Sequence, residues 1–200
     1  MDERLQKLQD NIGYAFKNPV LLDRALTHAS AGTDDNPPNE RLEFLGDAVI
    51  GLVVSAYLFS TMPDASEGDM TVIKSGAVSR KSLGIVGRDI GISPCLQVDE
   101  GLKNRGTYPN SMVGGAYEAI VGAIYIDGGY DPAREFVLQT LEDRIDEVCE
   151  QRHMLSSKSL LQQKTQGEGL GVPRYEKVQT GGPDHQPRLP AVELDVDAGA

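Results

Sequence analysis

Two stretches constrain the fold more than anything else in the chain. Wound as helices, residues 40–59 and 111–126 are apolar nearly all round. The first carries Leu42, Phe44, Leu45, Val49, Ile50, Leu52, Val53, Val54 and Leu58. A helix without a polar side belongs inside a core. Yet both stretches carry acids. In the first, Glu40, Glu43 and Asp47 lie at spacings of three and four, which stacks Glu43 on Asp47 and sets Glu40 one turn earlier. The second has a single carboxylate, Glu118, between Tyr117 and Ala119. A carboxylate removed from water must be neutral, paired or bound to a cation. Spacing alone leaves two solutions open. One is ordinary ion pairing, with Arg41 beside Glu40 as a candidate partner. The other is a divalent cation that draws Glu118 to Glu43 and Asp47 if the two helices pack together. Oxygen ligands suit magnesium, which binds few carboxylates and keeps several waters.

The rest of the chain reads as further helices around that pair. Residues 4–16 form a helix entering a turn, and Asn18-Pro19 restarts one, with Pro19 suited to a first helical position. A polar loop with two prolines spans 31–38. Residues 66–91 read as two helices, the first opened by Ser66 with Asp69 three residues on. Residues 92–110 are irregular. Asp127-Gly128-Gly129 stops the second apolar helix, and Asp131-Pro132 starts an amphipathic helix reaching about Cys149. The first 150 residues are therefore expected to be all-helical. Beyond His153 a short helix at 158–166 and strands at 172–179 and 191–196 suggest an α-β-β segment too small for a core of its own.

His28 has no ligand-spaced partner and reads as a structural hydrogen-bonding residue. Gly46 reads as a point of close helix contact. With 40% hydrophobic residues, the 200-residue chain can bury a substantial core. Its longest apolar stretches are interrupted by Glu, Asp or Gly, which argues against a membrane span. The charged segment 1–7 lacks the apolar run of a secretory signal. Cys95 and Cys149 are isolated, which suits a reducing, cytoplasmic setting. The net charge of −11 argues against a nucleic-acid partner. An acid cluster that binds cations would weaken that argument.

Asn39-Glu40-Arg41-Leu42-Glu43-Phe44-Leu45-Gly46-Asp47-Ala48-Val49 resembles the signature of the ribonuclease III family almost letter for letter. The resemblance extends to 26–30, to Glu67-Gly68-Asp69-Met70 and to 117–127, which is similar to the family's second catalytic helix. Residues 158–166 and 182–185 look like the start of a double-stranded RNA-binding domain. The resemblance implies an all-α endonuclease domain over 1–150, followed by a partial α+β RNA-binding segment over 156–200. It implies a homodimer that sets metal sites along a groove for A-form double-stranded RNA. Glu43, Asp47 and Glu118 would be metal ligands for Mg2+, with Mn2+ as a substitute, and Asp47 and Glu118 the catalytic pair. Glu40 would position the scissile strand, and Gln162 and His185 would contact RNA. Ribosomal and messenger RNA processing in the cytoplasm, with no membrane partner, would follow.

Two departures from the family pattern stand out. The family's second helix normally carries an Asp three residues before its Glu, and here that position is Gly115. Adjacent Gly114 and Gly115 also weaken a helix by roughly 1 kcal/mol each relative to Ala. The third strand and last helix of an RNA-binding domain find no counterpart, so a truncated or vestigial segment is expected. The alternative function is a non-cleaving, RNA-binding or ribosome-associated relative.

Overall fold

The computed structural model describes residues 3–167 and residue 173. By its contacts the chain divides into two units, Met1–Cys149 and Glu150–Ala200. In the first, the described residues form helices α1 (Glu3–Ile12), α2 (Pro19–Ala25), α3 (Glu40–Thr61), α4 (Glu67–Ala77), α5 (Arg80–Asp89), α6 (Glu100–Lys103) and α7 (Asn110–Gly128). A last helix, α8, begins here and spans Tyr130–Gly167. Extended pairing among the described residues of this unit is limited to a bridge between Thr27 and Gln97. The first unit is thus helical, as expected.

Capping chemistry sets several boundaries as the sequence suggests. The Asn18 side chain accepts the Val20 amide ahead of Pro19, and Ser66 accepts the Asp69 amide at the start of α4. Asp127 does more than end α7. Its carboxylate accepts the Tyr14 hydroxyl and the Lys17 and Asn18 amides, tying the entry of α2 to the far end of α7.

Helix α7 is the axle of the core. Every residue from Val113 to Ile124 is buried, because α2, α3 and α5 all pack on it and Tyr117 stacks obliquely on Phe136 of α8. The α3–α7 crossing is backbone on backbone. A Cβ on Gly46 would stand 1.7 Å from the Glu118 carbonyl oxygen, and one on Gly122 would stand 2.3 Å from that of Leu42. The close-contact role expected of Gly46 is therefore correct, and Gly122 is its counterpart on α7.

Two expectations need correction. Helix α3 is not buried all round: Phe44, Leu52 and Phe59 are 82%, 58% and 76% exposed. In the core α3 meets α7 on one side and α4 on another, which leaves a face of the single chain uncovered. Its mean hydropathy of 1.8 would satisfy a membrane span by composition. The buried Leu42, Val49, Ile50, Val53, Val54 and Leu58 show instead that it is a core helix with one apolar side left over. The second correction is at α8. The sequence suggests one helix ending near Cys149 and another at 158–166. The structure has one helix through Gly167, because residues 133–166 contain neither Gly nor Pro to break it.

In the second unit the described part is the end of α8. The strands expected at 172–179 and 191–196 lie, apart from residue 173, outside the described residues, as does His185.

Candidate functional site

The site is built where α3 and α7 cross. Asn39 anchors the start of α3, its amide donating to the Thr27 carbonyl and its side chain to that of Ala25. This fixes the first turns of α3, and with them Glu40 and Glu43. Because Gly46 rests on the Glu118 carbonyl, the turn of α3 bearing Glu43 and Asp47 is locked beside the turn of α7 bearing Glu118. Glu40, Glu43, Asp47 and Glu118 line one cavity of about 500 Å³ with Arg80, Phe44 and Val78.

The four acids differ in exposure. Glu40 and Asp47 are exposed, Glu43 is partly covered, and Glu118 is 6% exposed at the base. Burial first, and then the charges of Glu43 and Asp47, push the Glu118 carboxyl up to about 7 against a smaller downward pull from Arg80. The structure thus brings Glu118 into the electrostatic reach of Glu43 and Asp47, the juxtaposition that spacing could not establish. Among the described residues, no three acids are gathered as a ready-made cation cage. Like charges repel without a counter-ion, and Glu43 leans toward Arg80, 3.5 Å away.

Position 115 lies directly under Glu43 of this cavity. A Cβ there would lie 2.9 Å from Glu43 Oε2 and 3.1 Å from its Cδ. A side chain at 115 would therefore press on the Glu43 carboxylate, and the Gly leaves Glu43 lying over bare backbone. Gly114 also has a packing role, since a Cβ on it would lie 2.9 Å from the Arg80 carbonyl oxygen. The adjacent glycines cost helix propensity but allow α5 and the Glu43 side chain to approach α7.

The sequence comparison agrees with this geometry. The family described as ribonuclease-III-like matches residues 18–145. The chain belongs to the ribonuclease III family. It is 40% identical over 183 residues to ribonuclease 3 of Rhodopirellula baltica, covering 92% of this chain and 69% of that protein. Identity to ribonuclease 3 of Alkalilimnicola ehrlichii is 37% over 179 residues, 89% and 77% of the two chains. Among solved structures, the nuclease domain of ribonuclease III from Campylobacter jejuni is similar, with a TM-score of 0.67 at 34% identity over 72% of this chain and 97% of that one. A second structure of that domain is described as showing flexibility in a region involved in dimer formation; its TM-score is 0.66 at 35% identity, over 70% of this chain and 96% of that one.

The remaining family residues stand as follows. His28 caps a short 3₁₀ turn, Ala29–Ala31, its Nδ1 accepting the Ser30 amide, which matches the structural role expected of it. Gln162 lies exposed on α8 within the second unit. The residue that sequence reasoning missed is Arg80. One signal was available: Arg80 and Lys81 open α5, whose first turn has no acid, against the helix dipole's preference.

Donor chemistry at the cavity fits a hard divalent cation. All candidate ligands are oxygen acids, and one is buried under the repulsion of two others. Such a set suits Mg2+ or Mn2+ better than a softer metal.

Proposed function

We propose that this ribonuclease III family member is an endoribonuclease that hydrolyses phosphodiester bonds in double-stranded RNA with Mg2+ or Mn2+. The observation that carries this is the buried Glu118 carboxyl, locked by backbone contact beside the acids of α3 in a cavity open to solvent. Glu43, Asp47 and Glu118 would hold the cation, which when bound supplies Lewis-acid stabilisation of charge on the phosphate and its leaving oxygen. The protein's own contribution is to fix these acids on crossed helices and exclude bulk water beneath Glu118. Glu40, exposed at the rim, is suited to orient the RNA strand. Ribosomal and messenger RNA processing is the role we assign, and the cytoplasm is the setting suited to the thiols Cys95 and Cys149. We assign no membrane partner, since the core side of α3 is buried in protein.

The test is incubation of the purified chain with an RNA duplex and Mg2+, Mn2+ or chelator. The expected result is cleavage that requires the cation; its absence at high enzyme concentration rejects the proposal. Gly115 supports a second reading, an RNA-binding relative that no longer cuts. The Gly115→Asp variant separates them. The atoms nearest its Cβ belong to the flexible Glu43 carboxylate, which can shift, so it should fold, add an acid beside Glu43 and raise the cleavage rate at limiting Mg2+ by roughly tenfold, the low end of what groups supporting a metal site contribute. If neither protein cuts while both bind duplex RNA, the second reading stands.

A homodimer through α3 is part of the proposal. Phe44, Leu52 and Phe59 lie on the uncovered side of that helix, and contiguous exposed apolar surface marks an interaction site. Phe44→Asp should convert a dimer to a monomer in sedimentation equilibrium. An unchanged mass would place the contact elsewhere.

A further inference from the structure

Among the residues lining the acid cavity, Arg80 alone is cationic, facing four carboxylates. Its contact with Glu43 is a single long one, from Nη2 to Oε1 at 3.5 Å, and its side chain is 68% exposed. A guanidinium so held is weakly committed and accessible from solvent. Its backbone, by contrast, is firmly placed. The Arg80 carbonyl packs on Gly114 where a Cβ would intrude at 2.9 Å. Ser79, which accepts the Ser82 amide, fixes the first turn of α5. That turn adds the positive end of a helix dipole beside the guanidinium. A strongly acidic chain thus aims a basic side chain, against local helix preference, into the cavity where a polyanion would have to enter.

We propose that Arg80 is a phosphate-binding residue of this site, exchanging its loose contact with Glu43 for a backbone phosphate of the RNA. Arginine's planar fork suits two phosphate oxygens at once, a better match than one distant carboxylate oxygen. Releasing Glu43 in the same exchange frees that acid to serve a cation. Arg80 thereby offsets the repulsion between the RNA backbone and the acids. This rests on the nuclease proposal above for the reaction, but RNA binding tests it independently.

The experiment compares wild type, Arg80→Ala and Arg80→Lys. Binding of a short fluorescent RNA duplex is followed by anisotropy across a NaCl series, with Glu118→Gln added to each protein to prevent cutting. Cleavage is measured separately with Mg2+ in proteins that keep Glu118, and the rise in melting temperature with Mn2+ is measured without RNA. Arg80→Ala is expected to weaken duplex binding about tenfold and to reduce the salt-dependence slope by about one, the signature of one lost phosphate contact. Its kcat/KM should fall in proportion, Arg80→Lys should recover part of both, and the Mn2+ effect on melting should be undiminished. Unchanged duplex binding and salt slope would overturn the inference. So would Arg80→Ala binding RNA more tightly, which would make Arg80 only a counter-ion that blocks the acids. If wild type fails to cut, the nuclease proposal falls, while the binding series still decides the role of Arg80. Equal melting temperatures without metal check that the variants fold.

Discussion

Gly46→Ala should prevent the first unit from reaching its native packing. A methyl at that position would sit 1.7 Å from the Glu118 carbonyl oxygen and 2.6 Å from its carbonyl carbon. Those atoms belong to the backbone of the most buried helix, so no rotamer change can relieve the overlap. Either α3 moves bodily away from α7 or the crossing opens, and the core contacts of Leu42, Val49 and Val53 are lost with it. Overpacking of ordinary cores costs about 1–3 kcal/mol, and this rigid contact should reach or exceed the upper end. For a unit of this size that lowers the melting temperature by roughly 10 °C or more. Thermal denaturation followed by circular dichroism is the check. A melting temperature within two or three degrees of wild type would show that the helices are not in backbone contact.

Glu118→Gln should separate stability from activity. The buried Glu118 carboxyl titrates near 7 in the fold against 4.5 for the free group, first because of burial and then because of Glu43 and Asp47. The folded protein therefore holds that proton more tightly than the unfolded chain does. Its contribution to stability is present below about pH 4.5 and is lost as pH rises through about 7. Metal-free wild type should thus lose stability across that interval, and Glu118→Gln, which stays neutral, should lose less. At pH 8 Mg2+ should raise the melting temperature of wild type by mass action and that of the variant much less. Cleavage of duplex RNA by the variant should fall on the order of a thousandfold, the scale of losing a principal charge-stabilising group. A Glu118→Gln protein that is less stable than wild type at pH 8 and still cuts would remove Glu118 from the site.

The two predictions concern neighbouring turns of the same crossing, and that is the economy of this fold. The contact between Gly46 and Glu118 holds the helices together, and it also sets the acids of α3 beside the acid of α7. A glycine loss that pushes the helices apart would therefore damage the site before the protein unfolds. Variants that lengthen this contact should lose metal response at temperatures where circular dichroism still reports folded helix.

Much of this was legible in the chain because it depends on local pattern. Long apolar runs without Pro, too long for strands, mark α3 and α7 as helices, while Asn18, Pro19 and Ser66 announce helix starts through their own hydrogen bonds and backbone limits. The acids stood out because they interrupt apolar helices, and the run from Asn39 to Val49 named the family. Where local pattern misled, tertiary circumstances decided. The same composition that buries α7 from Val113 to Ile124 leaves Phe44, Leu52 and Phe59 of α3 uncovered, since burial depends on how many neighbours a helix acquires. The break expected before α8 ends is absent because composition changed there without a residue that forbids helix.

The sequence by itself determined that the first unit is helical, which acids are candidates and that Gly115 departs from the family, since each is a property of residue type and spacing. Only the folded chain decided that Glu118 lies beneath Glu43 and Asp47, that position 115 lies under Glu43 and that Arg80 joins from α5. Those relations bring together residues some 35–75 positions apart, and no local periodicity encodes which helices cross or at which turn. Backbone contact at Gly46 and Gly122 sets that crossing, and the chemistry of the site follows from it.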